Sequence, residues 1–245
     1  MRKALARTAV APSRRERLRD TTLSEIKHAA RAQVVSEGIG ALSLRAVARD
    51  LGMSAPAIYR YFDSREALII ALIADIYDEL TGELEEARDA LPPEDIVGRL
   101  MAVSRAFRSW SMAHQPEFGL VFGSPLPDFA AVPDGPTDEA GSRFGEVFAG
   151  LFFQLWATRP WRVGEVTDPG LLVELEAYSQ SLGGALPPAA LKVFLQCWVR
   201  LYGQVALEVF GHLDFVIPDV QPLFEDMLLD VAGWLGIADE YRPPA

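Results

Sequence analysis

The sequence contains one cysteine, Cys197, and three widely separated histidines among its 245 residues. A single cysteine excludes an internal disulfide, and no cysteine and histidine spacing resembles a metal site. The chain also lacks the run of about 20 apolar residues that a membrane span requires, and its basic N-terminus has no apolar signal segment. We therefore expect a cytoplasmic protein with no membrane contact, no metal and no cofactor.

Motifs that would support catalysis are also missing. The sequence has no GxSxG nucleophile elbow, no glycine-rich phosphate loop and no HExxH metal motif. Two pairs of acidic residues are adjacent in sequence, Glu85 with Glu86 and Asp138 with Glu139. On a helix, adjacent side chains do not share a face, so neither pair can act as two carboxylates of one catalytic site. An enzyme is therefore the least expected function.

Positive charge is scarce overall but concentrated near the N-terminus. Residues 1–70 carry 13 Lys and Arg against 7 Asp and Glu, a net charge of +6. Residues 71–245 carry 10 against 27, a net charge of -17. This asymmetry is typical of a small head that meets a polyanion and a larger acidic body that does not. Since five of the 13 cations precede Glu16, a solvated basic tail explains the charge equally well.

Apolar residues recur at helical spacing along nearly the whole chain, and no alternating strand pattern competes with them. The predicted fold class is all-α. The predicted domains are a disordered basic arm at 1–15, an N-terminal helical domain at 16–66 and a larger helical domain at 67–240. Prolines and glycines predict a loop over 123–137, and a second irregular connection is expected over 158–170.

Two of the predicted helices are short and lie close together. Ser43 is an N-cap candidate for a helix over 44–51, Gly52 ends it, and a second short helix is expected over 55–61. Two short helices joined by a glycine-containing turn are typical of a helix-turn-helix, although an ordinary helical corner has the same pattern. Asp63 or Ser64 is expected to cap the next helix, which runs to about Asp89.

In a helix-turn-helix the second helix enters the DNA major groove, and the first crosses the backbone. Small residues at the start of the second helix allow close approach to the bases, while hydroxyl groups and cations further along reach the groove wall and the phosphates. Arg60 is the predicted base reader. The candidate DNA-binding residues are Arg45, Ser54, Ala55, Pro56, Ala57, Tyr59, Arg60, Tyr61 and Arg65.

The run LSLRAVARDLGMSAPAIYRYFDSREALIIAL, residues 42–72, resembles the DNA-binding signature of the tetracycline-repressor (TetR) family of transcription regulators. Tyr61 stands where many members have His, and Arg65 stands where Lys is usual. Ala55 and Ala57 lack the longer polar side chains of some members, so DNA shape is expected to contribute to specificity. Segments of the C-terminal part, such as 108–110 and 198–203, resemble one TetR subgroup.

The resemblance implies a homodimer whose last two helices form a four-helix bundle with the partner chain. It also implies that a small molecule in the C-terminal domain shifts the helix after the recognition helix. The expected function is a repressor that binds a pseudo-palindromic double-stranded DNA operator and is released by this effector. The alternatives are an all-α protein-interaction module and a DNA-binding protein that responds to no ligand.

Aromatic residues of the C-terminal part predict a cavity for a mostly apolar ligand, although core packing is the alternative for each of them. The predicted cavity residues are Phe107, Trp110, Phe148, Phe152, Trp198 and Tyr202. Possible polar anchors there are Arg105, Arg108, Gln154 and Glu208. The predicted dimer interface comprises Leu201, Val205, Leu228 and Val231.

Overall fold

The computed structural model describes residues 13–123 and 135–244, and these residues form an all-helical protein. Two short 3-10 helices, Ile39–Ala41 and Ala238–Glu240, accompany the α-helices. In chain order the α-helices are α1 (Arg14–Glu37), α2 (Leu44–Asp50), α3 (Ala55–Ile58), α4 (Arg65–Asp89), α5 (Ile96–Ala113), α6 (Gln115–Phe122), α7 (Pro136–Thr158), α8 (Pro169–Ser181), α9 (Pro188–Val209) and α10 (Gln221–Trp234).

The chain divides into two compact units, up to Leu72 and from Ile73. The division falls inside α4, six residues after the boundary expected from the sequence. We call the described parts the N-terminal unit (13–72) and the C-terminal unit (73–244). Most of the predicted loop at 123–137 lies outside the described residues. The irregular connection expected after residue 158 is confirmed between α7 and α8.

The N-terminal unit has a small core built from the predicted helical stripes. Ile26 and Ala30 of α1 are fully buried, as are Val47 of α2 and Ile58 of α3. Helix α1 begins at Arg14, earlier than expected, because Ser13 and Glu16 form a capping box. Residues 14 and 15 are therefore helical, whereas residues 1–12 of the predicted basic arm lie outside the described residues.

The start of α4 is capped by Ser64, whose hydroxyl accepts a hydrogen bond of 3.1 Å from the backbone N–H of Ala67. Of the two cap candidates, Ser64 is therefore the one used. Helix α4 ends at Asp89, as predicted. The boundary between the two units falls within this helix.

The C-terminal unit packs its helices around aromatic rings. Phe107 of α5 is fully buried and lies 5.7 Å from the ring of Trp198 and 6.3 Å from that of Phe148. Tilted and edge-on ring pairs at such separations add about 0.5–1.5 kcal/mol each beyond their buried area. Helices α6 and α8 were not predicted from the sequence. Among the described helices, none combines the length and apolar character needed to cross a bilayer.

Candidate DNA-binding surface and effector cavity

Helices α2 and α3 have the geometry of a helix-turn-helix. The backbone N–H of Ala46 donates to the Ser43 hydroxyl at 3.4 Å, which caps α2. Gly52 in the turn has a φ of +65°, a conformation that residues with a Cβ rarely adopt. The N–H of Met53 donates to the Ala48 carbonyl at 2.8 Å and closes the turn. The turn therefore fixes the direction in which α3 leaves α2.

Helix α3 presents its small residues outward. Ala55 and Pro56 are exposed, whereas Ile58 on the opposite side is fully buried. The helix is shorter than predicted, because Tyr59, Arg60 and Tyr61 follow it as a turn rather than as helix. Ser54 occupies the N-cap position, but its side chain makes no capping hydrogen bond. The start of α3 is therefore available at the surface and small enough for a close approach to base edges.

Hydroxyl groups and cations surround this exposed end. Arg45 on α2 and Arg60 after α3 are both exposed, and Tyr59 is 43% exposed. Ala57 and Tyr61 are half-buried. The guanidinium and hydroxyl groups among these side chains can donate hydrogen bonds to phosphate oxygens, and such bonds position a protein on a duplex without reading its sequence.

Arg65 has a role that the sequence did not predict. Its Nε donates to the carbonyl of Leu42 at 2.9 Å, and one terminal nitrogen donates to the carbonyl of Ile39 at 2.7 Å. Both carbonyls belong to the segment that leads into α2. Arg65 therefore braces the helix-turn-helix from the first turn of α4, and any phosphate contact would come from its remaining nitrogen.

A basic groove lies between the start of α1 and the turn after α3. It has a volume of about 810 Å³, and its lining includes Arg14, Arg15 and Arg19 together with Arg60 and Tyr61. Arg60, the predicted base reader, therefore lines a groove shared with α1. In the sequence, the arginines at 14, 15 and 17 favour a solvated tail over an arm that reaches an adjacent minor groove, whereas the structure places Arg14 and Arg15 in the lining of this groove.

In the C-terminal unit an open cavity of about 430 Å³ is lined almost entirely by aromatic residues. Of the predicted residues, Phe148, Trp198 and Tyr202 line it, and Phe152 lines a separate space of about 30 Å³, which is too small for an organic effector. The full lining of the larger cavity is Tyr77, Phe122, Phe144, Gly145, Phe148, Tyr178, Phe194, Leu195, Trp198 and Tyr202.

Two predicted cavity residues are placed elsewhere. Phe107 is a fully buried core residue behind the cavity wall, and Trp110 donates its indole N–H to Glu79 at 3.2 Å. Neither belongs to the lining. The sequence analysis does not single out Tyr77, because its ring contacts with Phe122 of α6 and Phe144 of α7 join residues far apart in the chain.

Three of the four predicted polar anchors are engaged inside the C-terminal unit instead, and the fourth, Gln154, is exposed. Arg108 donates from Nε to Glu208 at 2.6 Å, and the Glu208 side chain is completely buried. Arg105 pairs with Glu225 at 2.8 Å. These pairs join α5 to α9 and α10, where their removal would leave a partly buried charge without a partner. They do not line the aromatic cavity.

Two phenol groups of the cavity have defined roles. Tyr202 donates from its hydroxyl to the Phe122 carbonyl at 2.7 Å and so ties α9 to the end of α6. Burial, together with the neighbouring Tyr202 and Asp138, raises the pKa of Tyr77 above its usual value. Tyr77 therefore remains a neutral hydrogen-bond donor at any physiological pH.

The four residues predicted to form the dimer interface lie in the core of the protomer instead. Leu201, Val205, Leu228 and Val231 are all buried within the protomer, so they cannot form its contact surface. The exposed apolar side chains of the same two helices lie on their other faces. These residues are Val199, Leu207, Phe210, Leu229 and Trp234. We call them the α9/α10 face.

Neither the cysteine nor the histidines form a reactive centre in the part of the chain that the structure describes. Burial raises the pKa of the Cys197 thiol to about 12, so the thiol stays protonated. The His114 ring stacks on Trp110, and His28 is exposed on α1. No group of three His, Cys, Asp or Glu side chains among the described residues is arranged to bind a metal ion.

Comparison with known proteins finds matches for both units. Residues 26–72 match the family model of the bacterial regulatory proteins of the tetR family, and residues 100–231 match that of the tetracyclin repressor-like C-terminal domain. The chain is 32% identical over 207 residues to the HTH-type transcriptional regulator Rv1816 of Mycobacterium tuberculosis, an alignment that covers 81% of this chain and 85% of that protein.

Solved structures show the same similarity. The regulatory protein SCO4313, whose crystal structure is known, is 31% identical in sequence to this chain. The superposition covers 91% of this chain and 100% of SCO4313, with a TM-score of 0.71. A TetR-family transcriptional regulator from Streptomyces coelicolor shares the fold with a TM-score of 0.58 at 15% identity, covering 91% of this chain and 84% of its own.

Proposed function

Because the chain belongs to the tetracycline-repressor family of transcriptional regulators, we propose that it is a homodimeric repressor. In this proposal it binds a pseudo-palindromic DNA operator and leaves it when a small, mostly apolar ligand occupies the aromatic cavity. The observation that carries the proposal is the exposed, small-residue start of α3, surrounded by Arg45, Tyr59 and Arg60. A surface of this kind matches base edges in a groove flanked by phosphates.

The α9/α10 face supports the homodimer. It exposes large apolar side chains on α9, on its C-cap residue Phe210 and on α10, which contacts α9. Exposed apolar side chains on adjoining helices are a common sign of a protein interface. One short recognition helix reads too few base pairs to select a site. A two-fold dimer reads two half-sites about 34–36 Å apart and so doubles the contacts.

The position of Tyr77 supports ligand release. Tyr77 lines the aromatic cavity and belongs to α4, the helix whose first residue, Arg65, braces the helix-turn-helix. A ligand that displaces Tyr77 would therefore displace the helix that holds the reading head in place. To change operator occupancy from nearly full to nearly empty, the ligand must favour the unbound form by several kcal/mol.

Selection of bound fragments from random DNA tests the proposal directly. We expect the selected fragments to share an inverted repeat whose half-sites are about one helical turn apart. A single unrepeated motif would contradict the dimer, and the absence of enrichment would contradict DNA recognition.

Tyr59→Ala is expected to weaken operator binding by about 1–3 kcal/mol, because it removes a hydrogen-bond donor beside α3. The free energy of unfolding should hardly change, since the ring is 43% exposed. Titration of labelled operator measures the affinity. The matched control is Leu171→Ala, since Leu171 is 42% exposed on α8 and lies outside the lining of the aromatic cavity. Equal affinity of the wild type and Tyr59→Ala would exclude Tyr59 from the interface.

Operator affinity is also expected to fall steeply as salt is added. Each phosphate contact releases condensed counterions, so the slope of log K against log[salt] should be close to -0.9 per contact. With Arg45 and Arg60 in each of two protomers, a slope of about -4 or steeper is expected for the dimer. Titrations between 50 and 300 mM KCl, roughly the range in which such slopes are linear, measure it. A flat response would favour a protein partner instead.

A further inference from the structure

The aromatic cavity of the C-terminal unit is lined by aromatic rings, with Leu195 as its one aliphatic side chain. Trp198 and Tyr202 are stacked with centroids 5.8 Å apart, and Phe144 and Phe148 each lie 5.8 Å from Trp198 at steep angles. The face of an aromatic ring carries partial negative charge, which attracts cations and repels anions. Where a ring face is turned towards the ligand, the wall favours a positively charged ligand over a negatively charged one of the same shape.

The mouth of the cavity also carries formal negative charge. The cavity shares Tyr77, Gly145, Tyr178 and Phe194 with an adjoining groove of about 750 Å³. That groove has two carboxylates in its lining, and both belong to exposed residues. These residues are Asp138 and Glu146.

Among the residues that the structure describes, no lysine, arginine or histidine lines either space. Arg143 interacts electrostatically with Glu146, but its guanidinium donates its hydrogen bond to Asp78 at 2.5 Å. The surrounding chain is strongly acidic, since residues 71–245 carry a net charge of -17. An anionic ligand would therefore find no ion-pair partner here and would lose its hydration without compensation.

From these walls and this mouth we infer that the effector is an organic cation with an aromatic or bulky apolar body. The apolar body fills the ring-lined cavity, and the positive charge lies towards Glu146 and Asp138. This inference rests on the proposed function, in which the same cavity controls release from the operator. It excludes fatty acids, acyl thioesters and other anions as effectors.

Two ions of nearly equal size and shape test the inference: tetraphenylphosphonium, a cation, and tetraphenylborate, an anion. Binding of each to the full-length protein is measured by isothermal titration calorimetry. We expect the cation to bind at least about tenfold more tightly, which corresponds to the combined effect of ring faces and one carboxylate. Equal or tighter binding of tetraphenylborate, or no binding of tetraphenylphosphonium, would overturn the inference.

Glu146→Gln should weaken tetraphenylphosphonium binding by about three- to tenfold and leave tetraphenylborate no weaker. Glu146 is exposed, so the variant is expected to fold normally. The matched control is Glu174→Gln, which removes an exposed carboxylate of α8 outside both linings. Equal losses in the two variants would show a general effect of net charge and would contradict a role for the cavity mouth.

Fluorescence anisotropy of labelled operator separates this inference from the proposed function. If tetraphenylphosphonium binds with the expected preference and releases the operator, both are supported. If it binds with that preference while the operator stays bound, the ligand class is supported and ligand-controlled release is contradicted. If it does not bind to a protein that still selects an inverted repeat, the ligand class is wrong and the DNA-binding function stands.

Discussion

Val199→Asp is expected to yield a folded monomer whose operator affinity is lower by roughly 100-fold or more, because the two reading heads no longer bind as one unit. Val199 is 66% exposed on α9, so the substitution should cost the isolated protomer little. In a two-fold dimer the change places two carboxylates in an apolar interface, where each loses hydration without gaining a partner. Sedimentation velocity at micromolar concentration measures the oligomeric state, and operator titration measures the affinity.

Val173→Asp is the matched control for this experiment. Val173 is 62% exposed but belongs to α8, outside the α9/α10 face. We expect this variant to remain dimeric with unchanged operator affinity. If instead Val173→Asp is monomeric and Val199→Asp is dimeric, the interface lies on α8 and the assignment to α9 and α10 is wrong.

Arg65→Ala is expected to destabilise the helix-turn-helix by about 3 kcal/mol, because it removes two hydrogen bonds from a charged donor. The Leu42 carbonyl then loses the Arg65 donor, the Ile39 carbonyl keeps the backbone N–H of Leu42 at 3.3 Å, and the segment leading into α2 is no longer held to α4. Amide hydrogen exchange in the full-length protein measures this local change. Exchange over 44–58 should be roughly 100-fold faster, and operator affinity should fall as well.

Two further variants separate bracing from a simple phosphate contact. Arg65→Lys keeps the positive charge but lacks the planar fork that reaches both carbonyls. If bracing dominates, the lysine variant exchanges almost as fast as the alanine variant. Arg45→Ala removes an exposed cation from α2 and should weaken operator binding without changing exchange. Normal exchange in Arg65→Ala would refute the bracing role.

Much of the N-terminal unit follows from local patterns. The apolar stripe of α1, the cap at Ser43 and the turn at Gly52 are all set by neighbours within four residues, and the structure places each of them as predicted. The same local patterns predict a helix α3 that is longer than the observed one. Tyr59 to Tyr61 are compatible with helix, but the chain turns there, with Phe62 buried on the inner side of the turn.

The placement of some site residues also follows from local patterns, whereas that of others depends on contacts between distant parts of the chain. Exposure of Ala55, Pro56 and Arg45 follows from the amphipathic pattern of two short helices. The use of Arg65 does not, because its two acceptors lie 23 and 26 residues earlier in the chain. The pairing of Arg108 with Glu208 joins residues 100 positions apart, so the sequence could not distinguish an ion pair from a ligand anchor.

The amino-acid sequence alone determined the helical class, the helix-turn-helix and the family, because these depend on short-range periodicity, caps and a contiguous signature. Only the tertiary structure decided which apolar side chains are covered by the protomer itself. Leu201 and Val199 both fit an apolar α9, yet one lies in the core and the other at the surface. Periodicity identifies an apolar face, but which neighbour covers that face depends on contacts between residues far apart in the chain.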